Sequence, residues 1–318
     1  MSYIEIKKMK GKEYFYFVKK ISFMNELKVI KKSIGTNPSS LNKEKYILDN
    51  LDILLGEEFQ FKKKFLNSIN KEMSFNDSLP NEVEFKSIKI NNLIEGKGCE
   101  QAVDNEFIKE FIFNSNNIEG SKLSAEKVRE IIDKGDTKYE NRNEVKEVKN
   151  SILAFDYLKK DFKFNIISIK RLYHILTKDL MDEGNTPYQK GFKKVPNIVG
   201  NSKTTPPEKV EEELMDLIQW YKKNKNKLHP LILAFEFHKR YEFIHPFLNG
   251  NGRTGRLIMN KILMSAGYSP IIVYKDNKQA YFNSIEKAGE GKLKNYYQFM
   301  LEQANKSYDF TLSLINRY

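Results

Sequence analysis

The sequence predicts a mainly α-helical protein with a small β element at its N-terminus. After Gly98, apolar residues recur every three or four positions in most segments, which is the period of an amphipathic helix. The first 35 residues alternate instead between polar and apolar side chains, with turn-forming breaks at Gly11 and at Asn25-Glu26. This period of two predicts a three-stranded β-meander that ends at Gly35.

Helices are expected in order along the rest of the chain. An apolar face marks residues 40–68, and Pro80 indicates a connector after them. A stripe over residues 101–113 is expected to end in the polar run 114–117, and Ser124 is a good N-cap for the next helix. Further helices are expected at residues 143–159, 168–181, 207–223 and 228–243, and from about Gly252 to Gly267.

A short β run interrupts the helices between Gly184 and Pro207. It consists of Val195-Pro196-Asn197-Ile198-Val199 followed by the turn pair Gly200-Asn201. This pattern predicts a hairpin on a helical body, and such a hairpin often lies over a site. The chain is accordingly divided into a small β element at 1–36, a helical region at 37–98 and a larger domain at 99–318.

The composition is that of a globular protein with a lysine-rich surface. The 318 residues are 40% hydrophobic and 30% charged, which is enough for a sizeable core. The net charge of +12 comes from lysines spread over the whole chain, so a solvated surface is favoured over a nucleic-acid site. A single Cys99 leaves no internal disulfide and no thiolate zinc site.

The N-terminal residues lack a basic region followed by an apolar stretch. No segment approaches the roughly 18 uninterrupted apolar residues of a membrane span. We therefore expect a cytoplasmic protein without a membrane partner.

The most informative segment is residues 245–256, which read His-Pro-Phe-Leu-Asn-Gly-Asn-Gly-Arg-Thr-Gly-Arg. Only seven of the 54 basic residues are Arg, and two of them, Arg253 and Arg256, lie here. Arg presents a planar fork to two phosphate oxygens, so its use here indicates recognition of an anion. One Asn-Gly pair alone would favour an ordinary surface turn, but the full string favours a phosphate site.

The segment combines an anion site with a base. Small residues that lead into a helix start present unpaired backbone N–H groups and the positive end of the helix dipole to a phosphate. Arg253 and Arg256 are three positions apart and can bracket a polyphosphate. His245, with an ordinary pKa of about 6.5, can accept a proton from a hydroxyl near neutral pH. The other histidines are expected to be structural, and any divalent ion to be oxygen-bound and shared with a nucleotide.

Residues 245–256 resemble the signature of the Fic or Fido family, His-Pro-Phe-x-(Asp/Glu)-Gly-Asn-Gly-Arg-x-x-Arg, at every position but one. Flanking segments that also resemble the family's layout are Leu228-His229-Pro230, Gly191-Phe192 and Ala280-Tyr281-Phe282. The resemblance covers roughly residues 101–307. It implies a Fic-type helical core with a β-hairpin flap, and an enzyme that transfers AMP from ATP to a protein hydroxyl.

The resemblance also implies a role for individual residues. His245 is implied to be the general base, and Gly252 implies AMP transfer because relatives with Lys there bind the nucleotide reversed and transfer phosphate. The residues implied to bind ATP and its phosphates are Asn249, Gly250, Asn251, Gly252, Arg253, Thr254, Gly255 and Arg256. Those implied to lie near the flap and the adenine are Val199, Gly200, Asn201, Ser202 and Tyr281.

A second segment, Ser115-Asn116-Asn117-Ile118-Glu119-Gly120, resembles the family's inhibitory motif (Ser/Thr)-x-x-x-Glu-(Gly/Asn). Its place ahead of the core implies an N-terminal inhibitory helix over about 101–120, with Ser115 and Glu119 as the inhibitory residues. The resemblance further implies an ion pair between Glu119 and Arg256. That pair would occupy the arginine meant for the γ-phosphate of ATP.

Three positions depart from the family pattern. Asn249 stands where relatives usually have an acidic residue that holds Mg²⁺, so metal affinity and turnover are expected to fall. Lys193 replaces an Arg near the hairpin, where we expect a structural change. Gly289 replaces an Asn that lies near the adenine in many relatives.

Three functions are therefore compared. The leading one is an autoinhibited adenylyltransferase that uses ATP and Mg²⁺, modifies a Ser, Thr or Tyr hydroxyl of an unidentified target protein, and partly modifies itself. The second is the Glu119-dependent removal of AMP from a modified protein. The third is a nucleotide-sensing adaptor whose catalysis is weakened by Asn249 and Gly289.

Overall fold

An antiparallel sheet forms the N-terminal part of the chain. The computed structural model describes residues 2–36, 42–73, 78–135, 142–182, 184–199 and 202–318. Strands β1 (Ser2–Met9), β2 (Lys12–Phe23) and β3 (Glu26–Gly35) pair in that order. Gly11 (φ 74°) and Asn25 (φ 66°) adopt the left-handed conformation that the two tight turns require. The predicted three-stranded meander is confirmed.

Most of the remaining described residues are helical, which confirms the predicted fold class. The helices are α1 (Lys43–Asp49), α2 (Leu51–Met73), α3 (Leu79–Lys97), α4 (Glu100–Ile118), α5 (Ala125–Lys134), α6 (Arg142–Lys160), α7 (Ile166–Thr177), α8 (Val210–Asn224), α9 (Pro230–Ile244), α10 (Asn251–Ser265), α11 (Lys278–Gly289) and α12 (Leu293–Ile315). Between α7 and α8, strands β4 (Ile198–Val199) and β5 (Ser202–Lys203) form the predicted hairpin. No helix in the described part of the chain is long and apolar enough to cross a membrane.

Several helix boundaries differ from the sequence prediction: the expected helix at 40–68 is two helices, α1 and α2, and α7 ends at Thr177 rather than at Met181. Helix α4 does not end at Phe113 but continues through the polar run, because Asn114, Ser115 and Asn116 are buried and face the protein interior. Pro80 does not mark a connector. It lies in the first turn of α3, where a missing N–H removes no hydrogen bond of the helix.

Helix α9 lies at the centre of the fold. Most of its side chains are buried, including Leu231, Phe235 and Phe237, which have no exposed surface, whereas Arg240 is exposed. A helix with apolar residues on most of its faces is expected within a core rather than at its edge. It packs against α8, α10, α11 and α12. The two ends of α9 are therefore held in place from several directions.

The N-terminal third of the chain shares this core. Phe23 of β2 and Val83 and Ile90 of α3 belong to the same apolar cluster as the residues of α9. A buried polar network adds to this contact at the start of α9. The hydroxyl of Tyr268 donates to Glu84 Oε2 at 2.6 Å, and Lys62 Nζ lies 3.3 Å from Glu84 Oε1.

His229 belongs to the same network. Its Nε2 lies 3.3 Å from Glu84 Oε2, and its Nδ1 accepts a hydrogen bond from the Leu231 N–H at the start of α9. The N-terminal third thus contacts the helix whose other end carries His245. The division at residues 36 and 98 stays a prediction.

Candidate active site

The twelve-residue segment connects the end of α9 directly to the start of α10. His245 is the C-cap of α9 and Gly250 is the N-cap of α10, both in the left-handed conformation with φ of 48° and 75°. The side chain of Asn251 closes the loop between them, because its Oδ1 accepts from the Phe247 N–H and its Nδ2 donates to the Phe247 carbonyl. Its backbone N–H, in the first turn of α10, is therefore the group of Asn251 available to an anion.

Aromatic packing supports the loop from the side of α7. The ring of Tyr173 stacks on the ring of Phe247, with centroids 3.7 Å apart and planes 3° from parallel. The Tyr173 hydroxyl donates to the Gln189 carbonyl at 2.8 Å. Thr254 is buried and donates its hydroxyl to the Gly250 carbonyl at 2.8 Å. These contacts hold the loop in one conformation without a ligand.

Lys193 connects the base of the hairpin to the loop. Its backbone N–H donates to the Pro246 carbonyl, and its buried Nζ donates to Asn197 Oδ1 and Thr204 Oγ1, both at 2.7 Å, and to the Ile244 carbonyl at 3.2 Å. Burial lowers the pKa of Lys193 to about 8. Lys193, which stands where the family has Arg, thus makes structural contacts near the hairpin, as expected.

His245 is oriented by the carbonyl of the last turn of α9. Its Nδ1 lies 3.3 Å from the Glu242 carbonyl oxygen. A carbonyl can only accept, so Nδ1 carries the proton and Nε2 has the lone pair. Burial lowers the pKa of His245 to about 4. The imidazole is therefore neutral at pH 7 and can act as a base.

Glu242 is a site residue that the sequence reasoning missed. Its two carboxyl oxygens each lie 3.8 Å from a histidine, Oε1 from His238 Nδ1 and Oε2 from His245 Nδ1. Burial raises the pKa of Glu242 to about 8, so this carboxyl is uncharged at pH 7. The only sequence signal was its position three residues before His245 on the same helix.

His238 has the contacts of a buried structural group. Its Nε2 lies 2.7 Å from the Tyr281 hydroxyl, and burial lowers its pKa to about 3. The ring of Tyr281, in α11, is itself closed to solvent and stacks on His238. Tyr281 therefore lies behind the loop. Gly289 is the exposed last residue of the same helix.

Arg256 is held by α4. Its Nε donates to Ser115 Oγ at 3.1 Å, and its Nη2 donates to the Ser115 carbonyl and to Glu119 Oε1, both at 2.9 Å. The ion pair between Glu119 and Arg256 is thus present. Arg256 is buried, whereas the Glu119 side chain keeps 27% of its surface exposed. Burial alone would raise the pKa of Glu119, but the charges of Arg256 and Arg253 hold it below its ordinary value.

Arg253 is held by a second carboxylate. Its Nη1 donates to Glu147 Oε1 of α6 at 2.9 Å. Burial raises the pKa of Glu147 even though the Arg253 charge acts in the opposite direction. The sequence reasoning missed Glu147, because the two partners lie 106 positions apart and no local pattern marks the pair.

Gly252 leaves the space that these side chains use. A Cβ atom at this position would lie 2.3 Å from Glu119 Oε1 and 2.8 Å from Arg256 Nη1. Any larger residue would therefore push the ion pair aside. Gly255 is equally restricted, since its Cβ would lie 2.8 Å from Glu242 Oε1 and 3.0 Å from a ring carbon of Tyr241.

The remaining predicted residues lie in the loop or the hairpin. Asn249 is half-buried in the loop, directly before Gly250. Val199 and Ser202 pair across the hairpin, and the turn residues Gly200 and Asn201 lie outside the described residues. Within the described ranges, no group of three or more His, Cys, Asp or Glu side chains is placed to hold a metal ion. A magnesium ion at Asn249 would therefore depend on ligands from the nucleotide.

The helical core, the hairpin and the loop with its neutral histidine and paired arginines are the features that the sequence resemblance implies. Residues 163–263 match the family model described as the Fic/DOC family. The crystal structure of a Fic-domain-containing signalling protein from Bacteroides thetaiotaomicron superimposes with a TM-score of 0.66 at 20% identity. The match covers 74% of this chain and 97% of that one, and it supports the fold.

Two proteins named protein adenylyltransferase Fic are similar in sequence. The one from Drosophila mojavensis is 25% identical over 281 residues, which are 82% of this chain and 55% of the fly protein. The one from Drosophila grimshawi is 28% identical over 209 residues, which are 63% of this chain and 42% of that protein. The chain thus spans about half the length of these relatives.

Proposed function

We propose that the chain is an autoinhibited protein adenylyltransferase that transfers AMP from ATP to a hydroxyl of a target protein. The observation that carries the proposal is the loop between α9 and α10. It brings together a neutral His245, the N-terminus of α10 and Arg256, which is already paired with Glu119. The similarity to the two fly adenylyltransferases supports the same activity.

The nucleotide's phosphates bind at the start of α10. The first-turn N–H groups have no partner within the helix and point along its positive end, which favours an oxyanion. Gly252 lets the phosphates approach the backbone where any Cβ would intrude. Arg256 Nη1 is buried and lacks a hydrogen-bond acceptor among the residues that the structure describes, so it is a donor ready for a phosphate oxygen.

His245 acts as the general base. Its Nε2 accepts the proton of a Ser, Thr or Tyr hydroxyl, and the hydroxyl oxygen then forms a bond to the α-phosphorus of ATP. The bond from the α-phosphorus to the bridging oxygen breaks, and pyrophosphate leaves. The Glu242 carbonyl holds Nδ1–H throughout, so the ring presents the correct nitrogen to the hydroxyl.

Mg²⁺ enters bound to the nucleotide and would be held on the protein by the amide oxygen of Asn249. The ion would neutralise charge on the phosphates, as hard divalent ions do with oxygen ligands. A single neutral amide is a weaker Mg²⁺ ligand than a carboxylate. We therefore expect the enzyme to be slow.

Glu119 keeps the enzyme inactive. As long as its carboxylate pairs with Arg256, the guanidinium is not available to the γ-phosphate, and ATP is poorly oriented for transfer. Ser115 holds the same guanidinium by two hydrogen bonds, so Arg256 stays correctly placed when Glu119 moves away.

The hairpin aligns the target segment by strand addition. Strand β4 carries Ile198, whose side chain is 69% exposed, at the edge of a sheet formed only with β5 in the described chain. An exposed strand edge can pair with an extended peptide through main-chain hydrogen bonds. The target itself is not identified, and an exposed hydroxyl of the chain is expected to be modified in part.

The test is transfer of label from α-labelled ATP. Glu119→Gly is expected to label itself or added proteins much more than the unchanged protein does, and adding His245→Ala is expected to abolish the label. Glu290→Gly is the matched control, since Glu290 is also a helix C-cap with nearly the same backbone conformation, but its carboxylate pairs with Lys292 and lies outside the loop. No label from Glu119→Gly, with the protein still folded, would refute transferase activity.

The reverse reaction is a second candidate. Glu119 is ionised, and its charge acts to raise the pKa of His245, so the carboxylate is near enough to orient a water molecule towards an AMP-modified hydroxyl. The expected result is release of AMP from a pre-modified target by the unchanged protein and not by Glu119→Gly. Release that persists in Glu119→Gly would exclude this role.

A nucleotide-sensing adaptor is the third candidate, favoured by Asn249 at the metal position. Calorimetry with ATP and Mg²⁺ separates it from the enzyme. Tight binding without any AMP transfer, even in Glu119→Gly combined with Asn249→Asp, would support the adaptor.

A further inference from the structure

Arg253, the first arginine of the loop, is closed off by a carboxylate of its own. Its guanidinium is 3% exposed and donates from Nη1 to Glu147 Oε1 at 2.9 Å. The Glu147 side chain is 14% exposed, against 27% for Glu119, whereas both arginine side chains are almost fully buried. Shielded charges interact more strongly than exposed ones.

The two carboxylates come from different helices. Glu119 ends α4, whereas Glu147 lies in the second turn of α6, and they hold different guanidinium groups. Removal of the Glu119 carboxylate therefore takes the charge partner from Arg256 but leaves Glu147 on Arg253.

The charges of the loop cancel while both pairs are formed. His245 and Glu242 are neutral at pH 7, since their pKa values are about 4 and about 8. The two arginines are then balanced by Glu119 and Glu147. A triphosphate therefore meets an anion site with little net positive charge. Removal of Glu119 leaves the charge of one arginine unbalanced, while Glu147 still balances the other.

The arginines nevertheless keep donors for a ligand. Arg253 Nε and Arg256 Nη1 are both buried, and within the described ranges neither has a hydrogen-bond acceptor. An unsatisfied buried N–H of a charged group costs free energy, which a bound phosphate oxygen would offset. Both donors belong to the first two turns of α10, where the helix dipole also attracts an anion.

We propose that Glu147 is a second internal competitor for the nucleotide's phosphates, which acts by holding Arg253. This inference rests on the proposed function and adds a second regulatory contact to it. Glu147 is a positioning residue, since it acts through the arginine and not on the reacting atoms. Full ATP affinity then requires that both carboxylates are displaced.

The expected effect of removing Glu147 is on binding rather than on chemistry. In the Glu119→Gly background, Glu147→Gln is expected to tighten the Kd for MgATP, and to lower its KM, by roughly three- to tenfold. The kcat is expected to change less than about twofold, because His245 and the α10 N-terminus keep their positions. A merely structural role of Glu147 would instead weaken binding or lower kcat.

The experiment compares Glu119→Gly alone with its combinations with Glu147→Gln, Glu147→Ala and Asp156→Asn. Asp156 is the matched control, since it is an exposed carboxylate of the same helix that pairs with Lys160. Isothermal calorimetry uses inorganic tripolyphosphate and MgATP as probes, and a thermal melt checks that each variant is folded. Both neutral variants at Glu147 are expected to bind the probes more tightly, with the Asp156 control unchanged.

Equal or weaker binding of tripolyphosphate by a folded neutral variant at Glu147 overturns the inference, as does the same gain in the Asp156 control. Tripolyphosphate carries no AMP, so its binding does not depend on the transfer reaction. Tighter binding without labelling from α-labelled ATP would refute the proposed function and support the competition. Labelling without tighter binding would support the proposed function and refute the competition.

Discussion

Single residues in the loop show how a short motif divides its tasks. Asn251 and Thr254 close the loop through their side chains, and Lys193 fastens the hairpin to it. In the proposed function, His245 and Gly252 are left for the ligand, one as a neutral base and the other as a gap. The motif therefore contains both residues that hold the loop and residues that are left for the ligand. Its sequence does not distinguish the two kinds.

The low pKa of His245 predicts how the labelling rate changes as the pH is lowered. In the Glu119→Gly variant, kcat/KM for labelling is expected to stay constant between pH 7 and about 5 and to fall only towards the His245 pKa of about 4. The reason is that burial disfavours the charged imidazolium, so the base stays unprotonated at mildly acidic pH. Circular dichroism at each pH separates loss of the base from loss of the fold. A rate that halves near pH 6.5 would show an unshifted histidine.

Asn249 predicts weak binding of Mg²⁺, which a carboxylate at the same position should strengthen. In the Glu119→Gly background, Asn249→Asp is expected to lower the Mg²⁺ concentration for half-maximal labelling several-fold, because a carboxylate adds a charge to the ion's ligands. A magnesium titration at fixed ATP measures this. Asn283→Asp, an exposed position on α11, is the matched control and should leave the titration unchanged. A titration that does not move would exclude Asn249 from the metal site.

At the scale of elements, the site depends on the close approach of α9 and α10. The backbone of α10 at Gly255 lies against Glu242, Tyr241 and His238 of α9, with no room for a side chain. This contact sets the distance between the base at the end of one helix and the anion site at the start of the other. Gly255 is therefore required by the packing of α9 against α10, although in the sequence it forms part of a phosphate-binding pattern.

Gly255→Ala is expected to lower the free energy of unfolding by about 1–3 kcal/mol, because its Cβ overpacks the contact between the two helices. Chemical denaturation followed by circular dichroism measures the change. Gly56→Ala is the matched control, since Gly56 is also inside a helix but has no atom within 4 Å of its Cβ. There, alanine is expected to stabilise by up to about 1 kcal/mol. An unchanged stability of Gly255→Ala would mean that α9 and α10 can separate freely.

For the whole molecule, the N-terminal third is part of the support of α9. Lys62 and Glu84 come from α2 and α3, whereas His229 and Tyr268 flank α9 and α10. Burial would raise the pKa of Glu84, but the Lys62 charge and the hydrogen bonds from His229 and Tyr268 hold it at about 2. Glu84 is thus ionised in the folded protein. Its contribution to stability is present above its ordinary pKa of about 4.5 and is lost as the pH falls towards 2.

Glu84→Gln is expected to cost about 3 kcal/mol of folding free energy at pH 7, because it leaves Lys62 without its closest charge partner in a buried site. The melt is followed both by fluorescence of Trp220, in α8, and by far-ultraviolet circular dichroism of the whole chain. Both signals should shift together if the network joins the N-terminal third to the core. Glu130→Gln, in an exposed pair with Lys127, should change little. A shift of only one signal would show that the two parts unfold separately.

Much of the fold could be predicted because it depends on local period. The β-meander, the hairpin and the helices from α4 to α10 were expected from alternation and from apolar stripes, whereas α3, α11 and α12 were not predicted. One error lay where burial overrode polarity. Asn114 to Asn116 read as a helix end, but their side chains are buried inside the protein, and α4 continues to Ile118.

By itself the sequence determined the fold class and the segment that carries the chemistry, since both depend on residues that are neighbours along the chain. Only the tertiary structure decided which charges meet. The pair of Arg253 with Glu147, the neutral state of Glu242 and the buried network at Glu84 each join residues from different elements or depend on how deeply they are buried. Coulomb interactions and desolvation depend on distance and burial in space, and neither quantity is contained in the order of the residues.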